Sequence, residues 1–191
     1  MPHRHFLLYK PAGYLSQFIN NQKKRKNKGL LGELGDFPEG TMAIGRLDEK
    51  SEGLLMLTTD GGASSLVRGE KVEKEYYAQV DGIITEEAVE RLREGVEISH
   101  RGKPYQTLPC EVTKLEGKPD LPESDLYIRD ERHGPTSWIS ITLREGRFRQ
   151  VRKMTAVVGF PTLRLVRVRI GQNTIEGIKP GTAVEVERFR L

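Results

Sequence analysis

At 191 residues the chain suits one ordinary domain, and a chain this long buries about 70% of its unfolded surface without disulfide or metal staples. Its 31 Lys and Arg against 27 Asp and Glu leave a mildly basic formal charge of +4, and the single cysteine, Cys110, excludes an intrachain disulfide or a multi-cysteine metal site. The N-terminus carries no secretory apolar region and no apolar run reaches the ~18 residues of a membrane span, so a soluble, cytoplasmic, non-membrane protein is expected.

In chain order, His5 to Tyr9 reads as a first strand that delivers Lys10 to the turn Pro11-Ala12-Gly13. Residues 20–28 (NNQKKRKNK) carry five basic residues and no acid, which predicts a mobile basic loop, either a solvated surface or a phosphate-contacting arm. Leu30, Leu31 and Leu34 suit a short helical turn. Gly45-Arg46-Leu47-Asp48 then precedes an apolar run, Leu54 to Thr58, closed by Asp60-Gly61. That run has the length of a buried strand and places Asp48 on a loop at its start.

Ala63 to Val67 suits a short helix. Lys74 to Val80 (KEYYAQV) reads as a strand, with Tyr76 and Tyr77 on opposite faces. Thr85 to Glu94 has an N-cap candidate in Thr85, acids in its first turn, an Ala88-Val89-Leu92 stripe and Gly95 as its stop, all marks of a packing helix. Gly102 to Pro109 reads as loop and Cys110 to Leu115 as a strand. Residues 116–135 hold three prolines and many charges, hence a long connection. Ser137 to Leu143 alternates as a strand, with Trp138 a core anchor. From about Phe148 a helix runs to Gly159. Leu163 to Ile170 (LRLVRVRI) alternates apolar and basic, which predicts a half-buried strand with Arg164, Arg167 and Arg169 outside its apolar set. Ala183 to Phe189 reads as a last strand. These elements sum to an α+β domain, mostly antiparallel.

Two features stand out for chemistry. Asp48 sits where a rigid scaffold holds a carboxylate still, although an Asp two residues from Arg46 also suits a surface ion pair. Arg144, Arg147, Arg149, Arg152 and Lys153 fall within ten residues, opposed only by Glu145. On a helix from Phe148, Arg149, Arg152 and Lys153 share one face. That face is either solvated or turned to an anion: nucleic-acid phosphate or a buried carboxylate. With Arg164, Arg167 and Arg169 following on the next strand, the combination favours a phosphate-tracking surface. The four histidines lack zinc spacing, and no phosphate-binding or dinucleotide-binding glycine loop and no nucleophile elbow is present.

Four motifs, in order, resemble the RsuA/RluB/RluE/RluF family of pseudouridine synthases. They are Lys10-Pro11-Ala12-Gly13; Gly45-Arg46-Leu47-Asp48 with Ser51-Glu52-Gly53-Leu54-Leu55 and Thr58-Thr59-Asp60-Gly61; Lys74-Glu75-Tyr76; and Glu145-Gly146-Arg147-Phe148-Arg149-Gln150-Val151-Arg152-Lys153-Met154. The match spans residues 6 to about 169. Because the pattern begins at about residue 6, no N-terminal S4 RNA-binding domain is expected. This departure is similar to the RluE type, as are Gln17-Phe18 and Pro135-Thr136-Ser137-Trp138. The basic loop looks longer than that subgroup suggests.

The resemblance implies the pseudouridine synthase catalytic fold: a mainly antiparallel mixed sheet in two lobes, with flanking helices and a central cleft, over 1–191 as a single catalytic domain. It implies a monomer, without cofactor or metal, that isomerises one uridine of 23S large-subunit ribosomal RNA to pseudouridine. Asp48 becomes the essential carboxylate, which attacks C1′, adds to the ring or removes a ribose proton. Tyr76 packs on the uracil, and Arg152 stands beside Asp48, so that the Asp is one end of a buried pair. Arg46, Leu47, Lys10, Arg147, Arg149, Gln150, Val151 and Lys153 become RNA or substrate contacts, Lys10 and Lys153 among the phosphate holders. The alternative is a non-catalytic RNA-binding or ribosome-assembly module on the same scaffold. A glycosidase-like hydrolase lacks its second carboxylate.

Overall fold

The computed structural model describes residues 1–19 and 27–191. The basic loop expected over 20–28 lies outside the described residues except for its last two. Among those described, Lys28 pairs with Glu49 at 3.0 Å.

The strands are β1 (His5–Lys10), β2 (Met42–Ile44), β3 (Glu52–Thr58), β4 (Lys74–Asp81), β5 (Glu97–His100), β6 (Lys103–Gln106), β7 (Glu111–Leu115), β8 (Thr136–Leu143), β9 (Thr162–Ile170), β10 (Asn173–Thr174) and β11 (Ala183–Val186). The helices are α1 (Gly61–Arg68), α2 (Glu86–Glu94) and α3 (Gln150–Val157). One sheet runs in the order β11-β1-β3-β9-β4-β8-β7, with β2 added to β3 and β10 to β9. Its pairs are antiparallel except β3 with β9, which is parallel and short: Glu52 opposite Val166 and Gly53 opposite Arg167. This seam joins the β1–β3 half to the β9-β4-β8-β7 half, so the two expected lobes share one continuous sheet.

Local sequence accounts for most elements. Thr85 accepts from Ala88 N–H as the N-cap of α2, and Asp60 accepts from Gly62 N–H at the start of α1. Helices α2 and α3 cover one face of β4, β7, β8 and β9, where Ile84, Val89, Leu92, Ile139, Ile141 and Met154 are fully buried. Leu54 and Met56 of β3 join a second cluster, with Tyr9, Val166 and Ile170. Leu55 and Leu57, on the opposite face, join a third with Phe6, Leu8, Leu31 and Leu47. With both faces covered, β3 is buried at every position.

Three expectations are corrected here. The stretch read as loop after Gly102 is part of the β5–β6 hairpin, a separate two-stranded ribbon. Helix α3 starts at Gln150, and Arg149 is its N-cap in the left-handed region at φ 53° and ψ 33°. The arginines of β9 are not a phosphate-tracking surface. β9 lies between β3 and β4 in the sheet, and both of its faces are buried from Arg164 to Val168. Arg164 is 2% exposed and forks onto Glu52 at 3.0 and 3.1 Å. Arg167 is 6% exposed, and Arg169 pairs with Glu75 and Glu73 at 3.0 and 3.3 Å.

Candidate active site

The Asp48 loop is held on both flanks. Gly45 turns the chain at φ 71° after β2. Leu47 drops into the third cluster, and the Ser16 hydroxyl brackets it, accepting from Leu47 N–H at 3.0 Å and donating to Leu47 C=O at 2.8 Å. On the other side, Glu49 C=O accepts from Gly13 N–H at 2.9 Å and from the Lys10 ammonium at 3.1 Å. Ser51 N–H closes the turn onto Asp48 C=O at 3.0 Å, and β3 follows. Asp48 itself is only partly buried, its side chain 23% exposed.

The second wall is the start of α3. Glu145, 5% exposed, accepts from the Tyr105 hydroxyl, from Leu108 N–H at 2.8 Å and from Gln150 Nε2 at 2.7 Å. Gln150 Oε1 in turn accepts from Arg147 N–H at 3.0 Å. This relay fixes the 145–150 turn and leaves Arg149 in a sparsely populated conformation, the kind of backbone strain that clusters at functional sites. Arg149 Nη1 then meets Asp48 Oδ2 at 3.0 Å, and Arg152 Nε lies 3.7 Å from the same oxygen. Arg152 is the more buried of the two, 14% exposed against 42%, and its Nη2 donates to Ser51 at 3.0 Å. Burial, then the Arg149 charge, lowers the Arg152 pKa against the opposing pull of Asp48 and Glu52. The pair expected between Asp48 and Arg152 is therefore present as a looser contact, with Arg149 the shorter partner.

Between these walls lies a cleft of about 240 Å³. Of the residues singled out in the sequence, Asp48, Arg46, Leu47, Tyr76, Arg147, Arg149, Gln150 and Val151 line it. Tyr76 faces the cleft while Tyr77 packs with the second cluster on the other side of the sheet, as alternation requires. Arg46 is exposed at the rim. Arg147 stacks its guanidinium over Tyr105, 4.8 Å from the ring centroid.

Three contact assignments need correction. Lys10 is 0% exposed, and its ammonium donates to Pro11 and Glu49 carbonyls at 2.8 and 3.1 Å. It braces the Asp48 loop from beneath, out of reach of a phosphate, and burial pushes its pKa down to about 7 against the pull of Glu52, Glu49 and Asp48. Lys153 turns off the cleft: it donates to Ser99 C=O at 2.8 Å and lies over Phe148. The Gln150 amide is 3% exposed and occupied by Glu145 and Arg147, so it shapes the wall instead of offering itself to a ligand.

Sequence reasoning passed over Ser16, Ser51 and Lys74, and placed Arg167 on a basic strand face instead of in the cleft. Ser51 and Lys74 lie inside quoted motifs; nothing local places Ser16 or Arg167 at the site, because their partners come from distant strands and loops. Among the described residues, no cluster of His, Cys, Asp and Glu is arranged to hold a metal, and no helix is long and apolar enough to cross a membrane.

Comparison with known proteins agrees with this geometry. The family model described as RNA pseudouridylate synthase matches residues 4–157. A ribosomal large subunit pseudouridine synthase E of Xanthomonas axonopodis pv. citri is 41% identical over 176 residues, covering 91% of this chain and 89% of that one. The protein of the same name from Vibrio parahaemolyticus is 40% identical over 182 residues, covering 93% and 71%. A crystal structure of a pseudouridylate synthase superposes with a TM-score of 0.76 at 24% identity, over 97% of this chain and 70% of that one, which establishes the fold. A cleft built around one arginine-flanked Asp, on this sheet and with these relatives, leaves one assignment: the chain belongs to the RNA pseudouridylate synthase family.

Proposed function

We propose that this protein isomerises a uridine of large-subunit (23S) ribosomal RNA to pseudouridine, with Asp48 as the essential carboxylate. The observation that carries the residue assignment is the position of Asp48. It is pinned through both neighbours, flanked by Arg149 and Arg152, and shares one cleft with Tyr76. The relatives named for the large ribosomal subunit carry the substrate class.

The reaction breaks the C1′–N1 bond, turns the uracil and joins C1′ to C5; N1 gains a proton and C5 loses one, with no redox change. The target base must leave its stack, at a cost of a few kcal/mol. Asp48 acts as a carboxylate, with the Arg149 and Arg152 guanidiniums beside it. Tyr76 packs on the flipped ring. Arg46, at the rim, takes the space the base vacates or holds the flipped nucleotide, and Arg147 and Arg149 meet phosphate.

Tritium release from [5-³H]uridine-labelled large-subunit RNA tests this. Wild type releases tritium, whereas Asp48→Asn binds the RNA and releases none. Release by Asp48→Asn at the wild-type rate removes Asp48 from the chemistry. Absence of release by wild type on every large-subunit fragment removes the substrate class.

A further inference from the structure

The start of β4 sorts its charges by face. Glu75 and the preceding Glu73 turn away from the cleft: Glu75 accepts from Arg169 and Ser140 at 3.0 and 2.9 Å, and Glu73 from Arg169 and Arg144 at 3.3 and 3.1 Å. Lys74 and Tyr76, two apart, line the cleft. Lys74 is partly buried, and among the described residues no hydrogen bond or ion pair reaches its ammonium. Burial and then the charge of Arg167 hold its pKa below the ordinary lysine value, with no carboxylate opposing them.

Arg167 repeats the pattern. It stands opposite Tyr76 on β9, its Nε donates to Leu54 C=O at 2.8 Å, and its guanidinium lies 6.0 Å from the Tyr76 ring centroid. Its Nη2 is buried without a partner, and the residue lines the same cleft. Buried donors left unpaired are costly, and two neighbouring cations without a counter-charge are costlier. Electron-rich oxygens brought by a ligand against Tyr76 offset both costs.

We propose that Lys74, backed by Arg167, donates to a carbonyl oxygen of the target uracil and stabilises the negative charge that the ring acquires during the reaction. This rests on the pseudouridine synthase reading above. When C1′–N1 breaks, its electron pair passes to N1 and spreads onto the O2 and O4 carbonyls. If Asp48 adds to C6 of the ring instead, the enolate charge falls on O4, one of the same two oxygens. Lys74 gains and loses no proton in either course. A phosphate is the other oxyanion these cations suit, but it stays with the backbone while the base enters beside Tyr76.

The test separates the two. Single-turnover rates at saturating RNA, and Kd over a salt series, are measured for wild type, Lys74→Met and Lys74→Arg, with thermal unfolding alongside. Lys74→Met is expected to lose about 100-fold in rate, the lower range for removing a donor to a developing oxyanion, and to keep its Kd within about twofold. Lys74→Arg is expected to regain at least about tenfold, and Lys74→Met to unfold no earlier than wild type. A rate within about threefold of wild type overturns the inference. So does a loss confined to Kd with a salt slope shallower by about one, which marks a phosphate contact. A lowered unfolding temperature with no rescue by Lys74→Arg marks a structural lysine and overturns it as well. Wild-type turnover, lost in Asp48→Asn, tests the functional reading separately; a normal Lys74→Met rate beside an active wild type overturns this inference alone.

Discussion

Replacing Glu52 by Gln tests the seam on which the Asp48 loop rests. Glu52 and Arg164 have side chains 3% exposed each, and the fork between them is two-pronged at 3.0 and 3.1 Å. The parallel β3–β9 pairing begins at this residue. Removing one charge of a buried pair leaves the other uncompensated, at about 3–5 kcal/mol. Arg164 keeps its bond to Pro122 C=O at 2.7 Å, and a glutamine oxygen still accepts one N–H, which argues for the lower end, about 3 kcal/mol. At about 2–4 °C per kcal/mol for a chain of this size, the unfolding temperature should fall by about 6–12 °C. Calorimetry measures it, and urea unfolding at unchanged slope confirms that stability and not compactness changed. The double variant Glu52→Leu with Arg164→Met should return to within about 1 kcal/mol of wild type, because an apolar pair pays no desolvation. A Glu52→Gln protein within about 1 kcal/mol of wild type would refute the reasoning, since Arg164 would then be hydrated or otherwise satisfied.

Two further outcomes follow from the same loop and seam. A Cβ at Gly53, whose φ is 110°, would stand 2.2 Å from Arg167 C=O, so Gly53→Ala should part the seam and yield little folded protein, as circular dichroism would record; a normally stable Gly53→Ala would show that β3 and β9 can separate without cost. Lys10 has its pKa lowered from 10.5 to about 7, so between those values the unfolded chain binds the extra proton and stability gains with rising pH. The full gain is on the order of 4–5 kcal/mol, 3.5 units at about 1.4 each. Lys10→Met should flatten the rise in denaturant stability between pH 7 and 9.5 relative to wild type, and equal slopes would mean that the ammonium is solvated.

Elements with a complete local signature were legible. Thr85, the acids after it and Gly95 mark both ends of α2, and the alternation from Lys74 to Val80 marks β4 and the opposite placement of Tyr76 and Tyr77. Local pattern failed where a distant partner decides. β9 reads as half-exposed because apolar and basic residues alternate, yet Arg164 finds its counter-charge 112 residues away, and the strand is central. β5 and β6 escaped because Pro104 interrupts a four-residue run and their register depends on each other alone. The start of α3 moved to Gln150 because Glu145 and Gln150 bind each other across the turn, which forces Arg149 out of helical conformation.

The cations of the site show the same limit more sharply. In sequence, Lys10, Lys74 and Lys153 are alike: a lysine within a motif, free to meet RNA. What separates them is which acceptors fold against each. Lys10 spends its protons on Pro11 and on Glu49, 39 residues on, and disappears beneath the loop. Lys153 gives a bond to Ser99, 54 residues back, and leaves the cleft. Lys74 is flanked by two glutamates that the strand's alternation turns to the far face, where Arg169 and Arg144 hold them. Adjacent positions on a strand face opposite ways, so the period of two that made β4 recognisable also keeps the charge of Lys74 available in the cleft.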